Sequence, residues 1–365
     1  MPTNTAAWID AKGAKLAVTP APYTHPRENE IVVKNHAVAI NPLDWIIQVA
    51  GNVAYRWIKY PFVLGADLAG EVVEVGTAVT RFKVGDRVLG HAVGMDKDRN
   101  NPAEGAFQEY TVLLAHMAAP LPDTMPYESA AVLPLGLSTA ACGLFQKDQL
   151  ALHYPAADPQ PTGQTLLVWG GSTSVGSNAI QLAIAAGYEV ITTASPRNFD
   201  YVRALGASQV FDYRSATVVR DIIAAFRGKT LAGALAIGTG SAEPCADIVH
   251  ACDGNKFVAI ATPSPVSFAD GLGPRLVLRL VSSNVALQVK CRTRRIRTKS
   301  IYGSTLKSNE VGRIIYEDFL PAALAEGRYV AAPEPHVVGR GLEYVQAGFD
   351  VQRAGVSARK AVVSL

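Results

Sequence analysis

The chain has 365 residues, of which 49% are apolar and 18% charged, with 31 glycines and 22 prolines. That length implies two domains, at most three, each able to bury its own core. The composition excludes wholesale disorder, collagen-like repeats and low complexity. The net charge of +3 is small, and says little about partners.

No apolar run approaches the ~18 residues of a membrane span, and the first residues lack the basic flank of a secretory signal. Four scattered cysteines, Cys142, Cys245, Cys252 and Cys291, do not make a disulfide framework. The expectation is a reduced, soluble, cytoplasmic protein. The charge is uneven, however. Lys290, Arg292, Arg294, Arg295, Arg297 and Lys299 put six cations into ten residues with no acid among them.

From residue 31 to 117, short β-rich runs at 31–34, 71–76, 85–90 and 106–112 are punctuated by Gly and Pro. Strands at that spacing predict a compact, barrel-like β domain. A helical region is expected over 127–145. The stretch 153–163 carries Pro155, Pro159 and Pro161 and reads as a connector. Beyond it the rhythm becomes strand then helix. Strands are expected at 165–169, 188–193, 209–213, 232–237 and 257–261, with helices near 178–186 and 199–205. Apolar strands alternating with helices predict a parallel sheet covered on both faces. A long helix over 310–326, then 336–338 and a final strand at 360–364, complete the chain. The fold class is α/β plus β.

Gly170-Gly171-Ser172-Thr173-Ser174-Val175-Gly176 sits between the first parallel strand and its helix. Such a turn holds a dinucleotide pyrophosphate: glycines let the backbone approach, and N–H groups of the helix N-terminus meet the charge. The middle glycine of the usual spacing is Thr173, a variant. A ligand-free βα turn is the plain alternative. A nucleophile elbow would need Gly-x-Ser-x-Gly, and its last glycine is missing. The second strand runs into Ala194-Ser195-Pro196-Arg197-Asn198, with no carboxylate to bind a ribose diol or repel a 2′-phosphate. Ser195, Arg197 and Asn198 can donate to a phosphate, and Tyr213-Arg214 ends the next strand on the same side. NADPH is therefore favoured over NADH; a solvated turn with an outward Arg197 is the alternative.

The whole chain resembles the medium-chain dehydrogenase/reductase superfamily. His36-Ala37-Val38-Ala39-Ile40-Asn41-Pro42-Leu43-Asp44, Pro61-Phe62-Val63-Leu64-Gly65-Ala66-Asp67-Leu68-Ala69-Gly70 and Val84-Gly85-Asp86-Arg87-Val88 are similar to its quinone-oxidoreductase branch. Leu133-Pro134-Leu135-Gly136-Leu137-Ser138-Thr139-Ala140 marks entry into the nucleotide domain. Ser195-Pro196-Arg197-Asn198-Phe199-Asp200 and Phe211-Asp212-Tyr213-Arg214 resemble the fungal trans-acting enoyl reductases of polyketide biosynthesis. The resemblance implies a GroES-like β-barrel domain from residues 1–137 and 305–365. A Rossmann NADPH-binding domain, 138–304, is inserted between them, with substrate in the cleft over the nicotinamide. Zinc-dependent relatives carry Cys near Asn41, His at Ala66 and four Cys near 94–104; here no thiolate or imidazole stands at those positions, so no metal is expected.

Without a Lewis acid, alcohol oxidation loses its usual alkoxide stabiliser, whereas reduction of an activated C=C bond does not need one. By the resemblance, Asn41 and Thr139 are the candidate catalytic donors to the enolate oxygen. Each has a plain alternative: an Asx turn into Pro42 for Asn41, and a capping contact for Thr139. Asp44, Ile260, Ala261 and Arg359 join the turn as cofactor-binding candidates, and Ala140, Ile301 and Tyr302 as substrate-lining ones; Asp44 equally suits a helix cap. His36, His91 and His116 read as structural. Ile46 departs from close enoyl reductases, which often carry Lys there. The expected activity is NADPH-dependent reduction of an enoyl thioester or enone, free or delivered on an acyl carrier protein of a polyketide synthase. Alternatives are a quinone or 2-alkenal reductase, or a reductase scaffold recruited for a non-redox step. Nucleic-acid binding through 290–299 lacks an accompanying motif. The basic run instead suggests steering of an acidic carrier protein. The same charges beside an expected edge strand near 300–305 favour a monomer.

Overall fold

The computed structural model describes residues 2–51, 55–262 and 274–365, with the backbone alone for 274–281. It divides into two compact units, Met1–Leu135 with Leu306–Leu365, and Gly136–Thr305.

In the first unit, β1 (Asn4–Ile9) pairs antiparallel with β2 (Ala17–Ala21) and with β4 (Phe62–Val63). The ten-residue β3 (Glu30–Ala39) is followed by α1 (Pro42–Ala50), which begins on Pro42, where a missing N–H costs no helical bond. β5 (Asp67–Val75), β6 (Arg87–His91), β7 (Tyr110–Leu114) and β8 (Ala118–Pro120) continue the second sheet. Its order is β15-β16-β3-β5-β6-β8, with β7 on β3; β15 (Glu334–Arg340) and β16 (Arg359–Ser364) come from the end of the chain. β3 is buried at eight of ten positions and pairs antiparallel with β5, β7 and β16.

The loop after β6 is held by charge. Arg99 places Nε 2.7 Å from Glu104 Oε2 and Nη2 2.6 Å from Oε1, and also reaches Glu30 Oε1 at 2.7 Å. The side chains of Glu30 and Glu104 are only 6% and 3% exposed. The guanidinium's bonds to Glu104 hold its pKa above the usual arginine range.

One helical expectation needs correction. Over 310–326 the chain forms α9 (Glu310–Arg313), a π-helical segment Ile314–Phe319, and α10 (Leu320–Ala325) rather than one helix. Pro321 has no N–H for the Glu317 carbonyl, and its ring would clash there in α geometry; the wider turn absorbs it. The Leu320 N–H then reaches back to Ile315, and the Tyr316 carbonyl accepts from Arg81 Nη2 at 3.2 Å instead. The region 127–145 is helical as expected, formed by α2 (Tyr127–Ala130) and α3 (Pro134–Phe145). Contrary to expectation, Tyr127–Phe145 is long and apolar enough to pass for a membrane span by composition, but 83% of that window is buried inside the protein. A core helix satisfies the same pattern.

The second unit is a six-stranded, wholly parallel sheet. Its strands are β9 (Gln164–Trp169), β10 (Glu189–Ala194), β11 (Gln209–Asp212), β12 (Thr230–Ala236), β13 (Phe257–Ile260) and β14 (Arg297–Ser300). They lie in the order β11-β10-β9-β12-β13-β14. The connecting helices are α4 (Ser174–Ala185), α5 (Phe199–Ala204), α6 (Val218–Ala225), α7 (Ala242–Ala251) and α8 (Pro274–Thr293). Leu167, Ile191, Ala234 and Val258 pack with Cys245, Val249 and Ile296 in one core. The order reverses between β9 and β12, so a crevice is expected beyond the carboxyl ends of those strands.

The edge strand expected near 300–305 is β14 instead, and Gly303–Ser308 is a 3₁₀ helix. The basic run is less a free patch than its sequence suggests. Lys290 meets Asp247 Oδ1 at 2.8 Å, Arg294 pairs with the same carboxylate, Lys299 pairs with Asp148, and Arg297 lies 5.1 Å over the Phe257 ring. Arg292 and Arg295 remain exposed.

Replacing Arg99 with Met leaves two nearly buried carboxylates facing each other, a change that typically costs ~3–5 kcal/mol. Denaturant unfolding followed by the tryptophans of the first unit, Trp8, Trp45 and Trp57, is expected to show that loss, and Arg99→Lys to recover part of it. An Arg99→Met protein as stable as the parent contradicts the assignment.

Candidate functional site

The glycine turn sits at the switch point, on the carboxyl end of β9. Gly170 has φ +92°, a conformation that favours glycine. A Cβ at Gly171 would lie 2.2 Å from Thr192 Oγ1, and one at Gly176 would lie 2.2 Å from the Gly170 carbonyl. These two glycines let α4 press against the strand ends. Thr173, at the missing-glycine position, is the N-cap: its hydroxyl donates to Gly170 O at 2.8 Å and accepts from Gly176 N–H at 3.0 Å. The side chain is turned into the loop, so the substitution closes the turn from within. β10 braces it from the other side, Thr193 Oγ1 accepting the Gly170 N–H at 3.0 Å and Thr193 O the Gly171 N–H at 2.9 Å. Ser174 and Val175 open α4, where the first N–H groups have no intrahelical acceptor. A tight glycine cradle on a helix N-terminus fits a dinucleotide pyrophosphate.

The parallel register pairs Ala194 with Asp212, so Ser195 and Tyr213 leave adjacent strands at one edge. Arg197 is exposed and has no ion-pair partner among the described residues. Asn198 is buried, while Tyr213 is 39% exposed with Arg214 Nε donating to its hydroxyl at 3.1 Å. This edge offers hydroxyls, an amide and two guanidinium groups; its one acid, Asp212, accepts the Arg214 backbone N–H at 3.0 Å. Ile260 pairs with Ser300, so Ala261 and Ile301 leave the next two strands together, with Ile301 N–H on Ile260 O at 2.9 Å. Tyr302 is 65% exposed, whereas Ile301 is buried and Ala140 has no exposed surface. Thr139, on α3, is buried against Gly303, where a Cβ would meet its Oγ1 at 2.7 Å.

The first unit holds a second group of candidates. Asn41 precedes α1, and Asp44 Oδ2 accepts its backbone N–H at 2.7 Å. Asp44 is fully buried, and that burial pushes its pKa up to about 8, with the charge of Asp67 adding to the rise. The helix cap that the sequence allowed for Asp44 is thus present. Asn41 Nδ2 donates to Asp67 Oδ2 at 2.8 Å, Leu135 N–H donates to Oδ1 at 2.6 Å, and Lys360 Nζ also meets Oδ2. Asp67 and Lys360 were not among the expected site residues. Their signal is a charged residue flanking an apolar strand: Asp67 before Leu68-Ala69, Lys360 before Ala361-Val362-Val363.

Arg359, beside Lys360, faces outward and pairs with Glu334 at 3.2 Å. His91 is buried, which lowers its pKa. His36 stacks on Tyr127 at 4.6 Å, and His116 Nε2 lies 2.9 Å from the Lys307 carbonyl. Ile46 is half-buried on α1.

Residues 27–123 match the alcohol dehydrogenase GroES-like domain family. The chain is 54% identical to a dehydrogenase of Monascus ruber over 369 residues, covering both chains completely. It is 38% identical to a trans-enoyl reductase of Aspergillus japonicus over 371 residues, covering 99% of this chain and 97% of that one. Escherichia coli quinone oxidoreductase, solved in complex with NADPH, superposes with a TM-score of 0.69 over the full length of both chains at 20% identity. A GroES-like domain interrupted by a Rossmann domain, together with relatives of this identity and coverage, identifies the chain as a member of the medium-chain dehydrogenase/reductase superfamily.

Proposed function

We propose that this oxidoreductase is an NADPH-dependent, zinc-independent reductase of C=C bonds conjugated to a carbonyl. Its substrate is an enoyl thioester or enone, presented in trans by a polyketide synthase of a secondary-metabolite pathway. The likeness to a trans-enoyl reductase along nearly the whole chain carries the reading. The cofactor choice is supported by the edge after β10, where Ser195, Arg197 and Asn198 stand in place of an acid.

When bound, the nicotinamide supplies a hydride to the β-carbon of the substrate. The chain's part is to hold and polarise. The turn from Gly170 to Gly176 and the N-terminus of α4 hold the pyrophosphate, and Arg197 with Tyr213 and Arg214 holds the 2′-phosphate. In the first unit, the Asn41 amide donates to the carbonyl oxygen as it becomes an enolate oxygen, and water protonates the α-carbon. Asp67 is saturated by donors from Asn41, Leu135 and Lys360, a use of that carboxylate that needs no metal.

Losing a charged hydrogen bond to phosphate costs ~1.5–3 kcal/mol. Arg197→Ala is therefore expected to weaken NADPH binding about tenfold or more and to leave NADH binding unchanged, as read by fluorescence titration. Equal loss for both cofactors contradicts the 2′-phosphate assignment. In a consumption assay, NADPH should be oxidised by α,β-unsaturated thioesters at a rate indifferent to chelators, and faster when the acyl group rides on a carrier protein. Oxidation by quinones alone overturns the enoyl reading.

A further inference from the structure

Behind Asn41 lie two buried charges for which the proposed reaction has no direct use. Asp67 has no exposed surface and Lys360 is 4% exposed. Lys360 also donates to the Val132 carbonyl at 3.2 Å, so its ammonium is fixed at two points. An ionised carboxylate only accepts hydrogen bonds. Asn41 must therefore turn its nitrogen, not its oxygen, toward Asp67 Oδ2 at 2.8 Å. The main chain of the same residue is held by Asp44 at 2.7 Å. An amide that is free to rotate exchanges donor for acceptor with a half-turn. This one cannot do so while the Asp67 carboxylate, held by Lys360, accepts its N–H.

We propose that the Asp67–Lys360 ion pair is a positioning device for Asn41: Lys360 pairs with the Asp67 carboxylate, and Asp67 fixes which edge of the Asn41 amide meets a substrate oxygen. The proposal rests on the reading of Asn41 as a donor to substrate, made above. Asp67 and Lys360 touch no substrate in it; they act through Asn41. A pair serving stability alone would be replaceable, since apolar residues of similar volume commonly substitute for a buried ion pair without loss of stability. The two uses therefore separate in the double variant Asp67→Leu/Lys360→Met.

The test uses the full-length protein with NADPH and a free enoyl thioester. The double variant is expected to bind NADPH with unchanged affinity, while kcat falls at least tenfold and KM moves little. Asp67→Glu, which keeps the charge, is expected to recover part of kcat. A double variant that folds, binds NADPH and turns over like the parent overturns the proposal. A second readout needs neither catalysis nor substrate. With asparagine labelled by ¹⁵N, the Asn41 side-chain N–H resonances, identified by their loss in Asn41→Ser, should exchange with solvent slowly in the parent. In Lys360→Met, or in Asp67→Asn should the double variant not fold, exchange should be at least tenfold faster. Unchanged exchange there overturns the positioning role. If the parent reduces no enoyl substrate at all, the function proposed above fails, and the positioning claim is decided by the exchange rates alone.

Discussion

One carboxylate, Asp67, organises the first unit around the candidate site. It draws together Asn41, Leu135 and Lys360, which lie 26, 68 and 293 residues away along the chain. Asp67 has no exposed surface, so its oxygens must find their donors inside the protein: an unmet buried charge is far more costly than an unmet surface one. The consequence is a strict relation within the first unit between β5, the end of β3, Leu135 and the last strand. The C-terminal segment is thus an integral part of this unit, since β16 both pairs with β3 and delivers Lys360. Beside that pair, the Asp44 carboxyl is pushed up to about 8 by burial, which leaves it largely neutral at ordinary pH and spares the cluster a second negative charge.

The second unit depends on closeness rather than charge. Gly171 and Gly176 leave no room for a side chain between β9, β10 and α4, and Thr173 ties the turn through two hydrogen bonds. The helix N-terminus is thereby held on the carboxyl edge of the sheet, where the strand order reverses. Hydrogen-bond donors from the ends of β10 and β11 share that edge because the parallel register sets them side by side. Under the function proposed above, the chemistry asked of this unit is recognition of an anion, which the backbone of a helix N-terminus suits.

Much of this was readable from the residues. The strand–helix alternation after residue 163, the turn at 170–176 and the absence of an acid after β10 are local patterns, and local patterns are what a sequence displays. The π-helical segment was foreshadowed only by Pro321, whose effect depends on a carbonyl four residues earlier and on Arg81, far along the chain. The basic run looked free because its neutralising partners, Asp247 and Asp148, lie 43 or more residues away. Asp67 and Lys360 were hidden for the same reason. Gly65-Ala66-Asp67 shows at once that a metal-binding His is missing, but nothing local says that a lysine near the C-terminus meets the carboxylate.

The family membership leaves the bond that is reduced as the open chemical question, and isotope transfer answers it most directly. NADPH carrying deuterium at C4 of the nicotinamide, incubated with the protein and an enoyl thioester, should yield the saturated thioester with one deuterium on the β-carbon. The proton on the α-carbon should come from solvent. A saturated product without deuterium at that carbon, or no saturated product while the label passes to a quinone, would contradict the account.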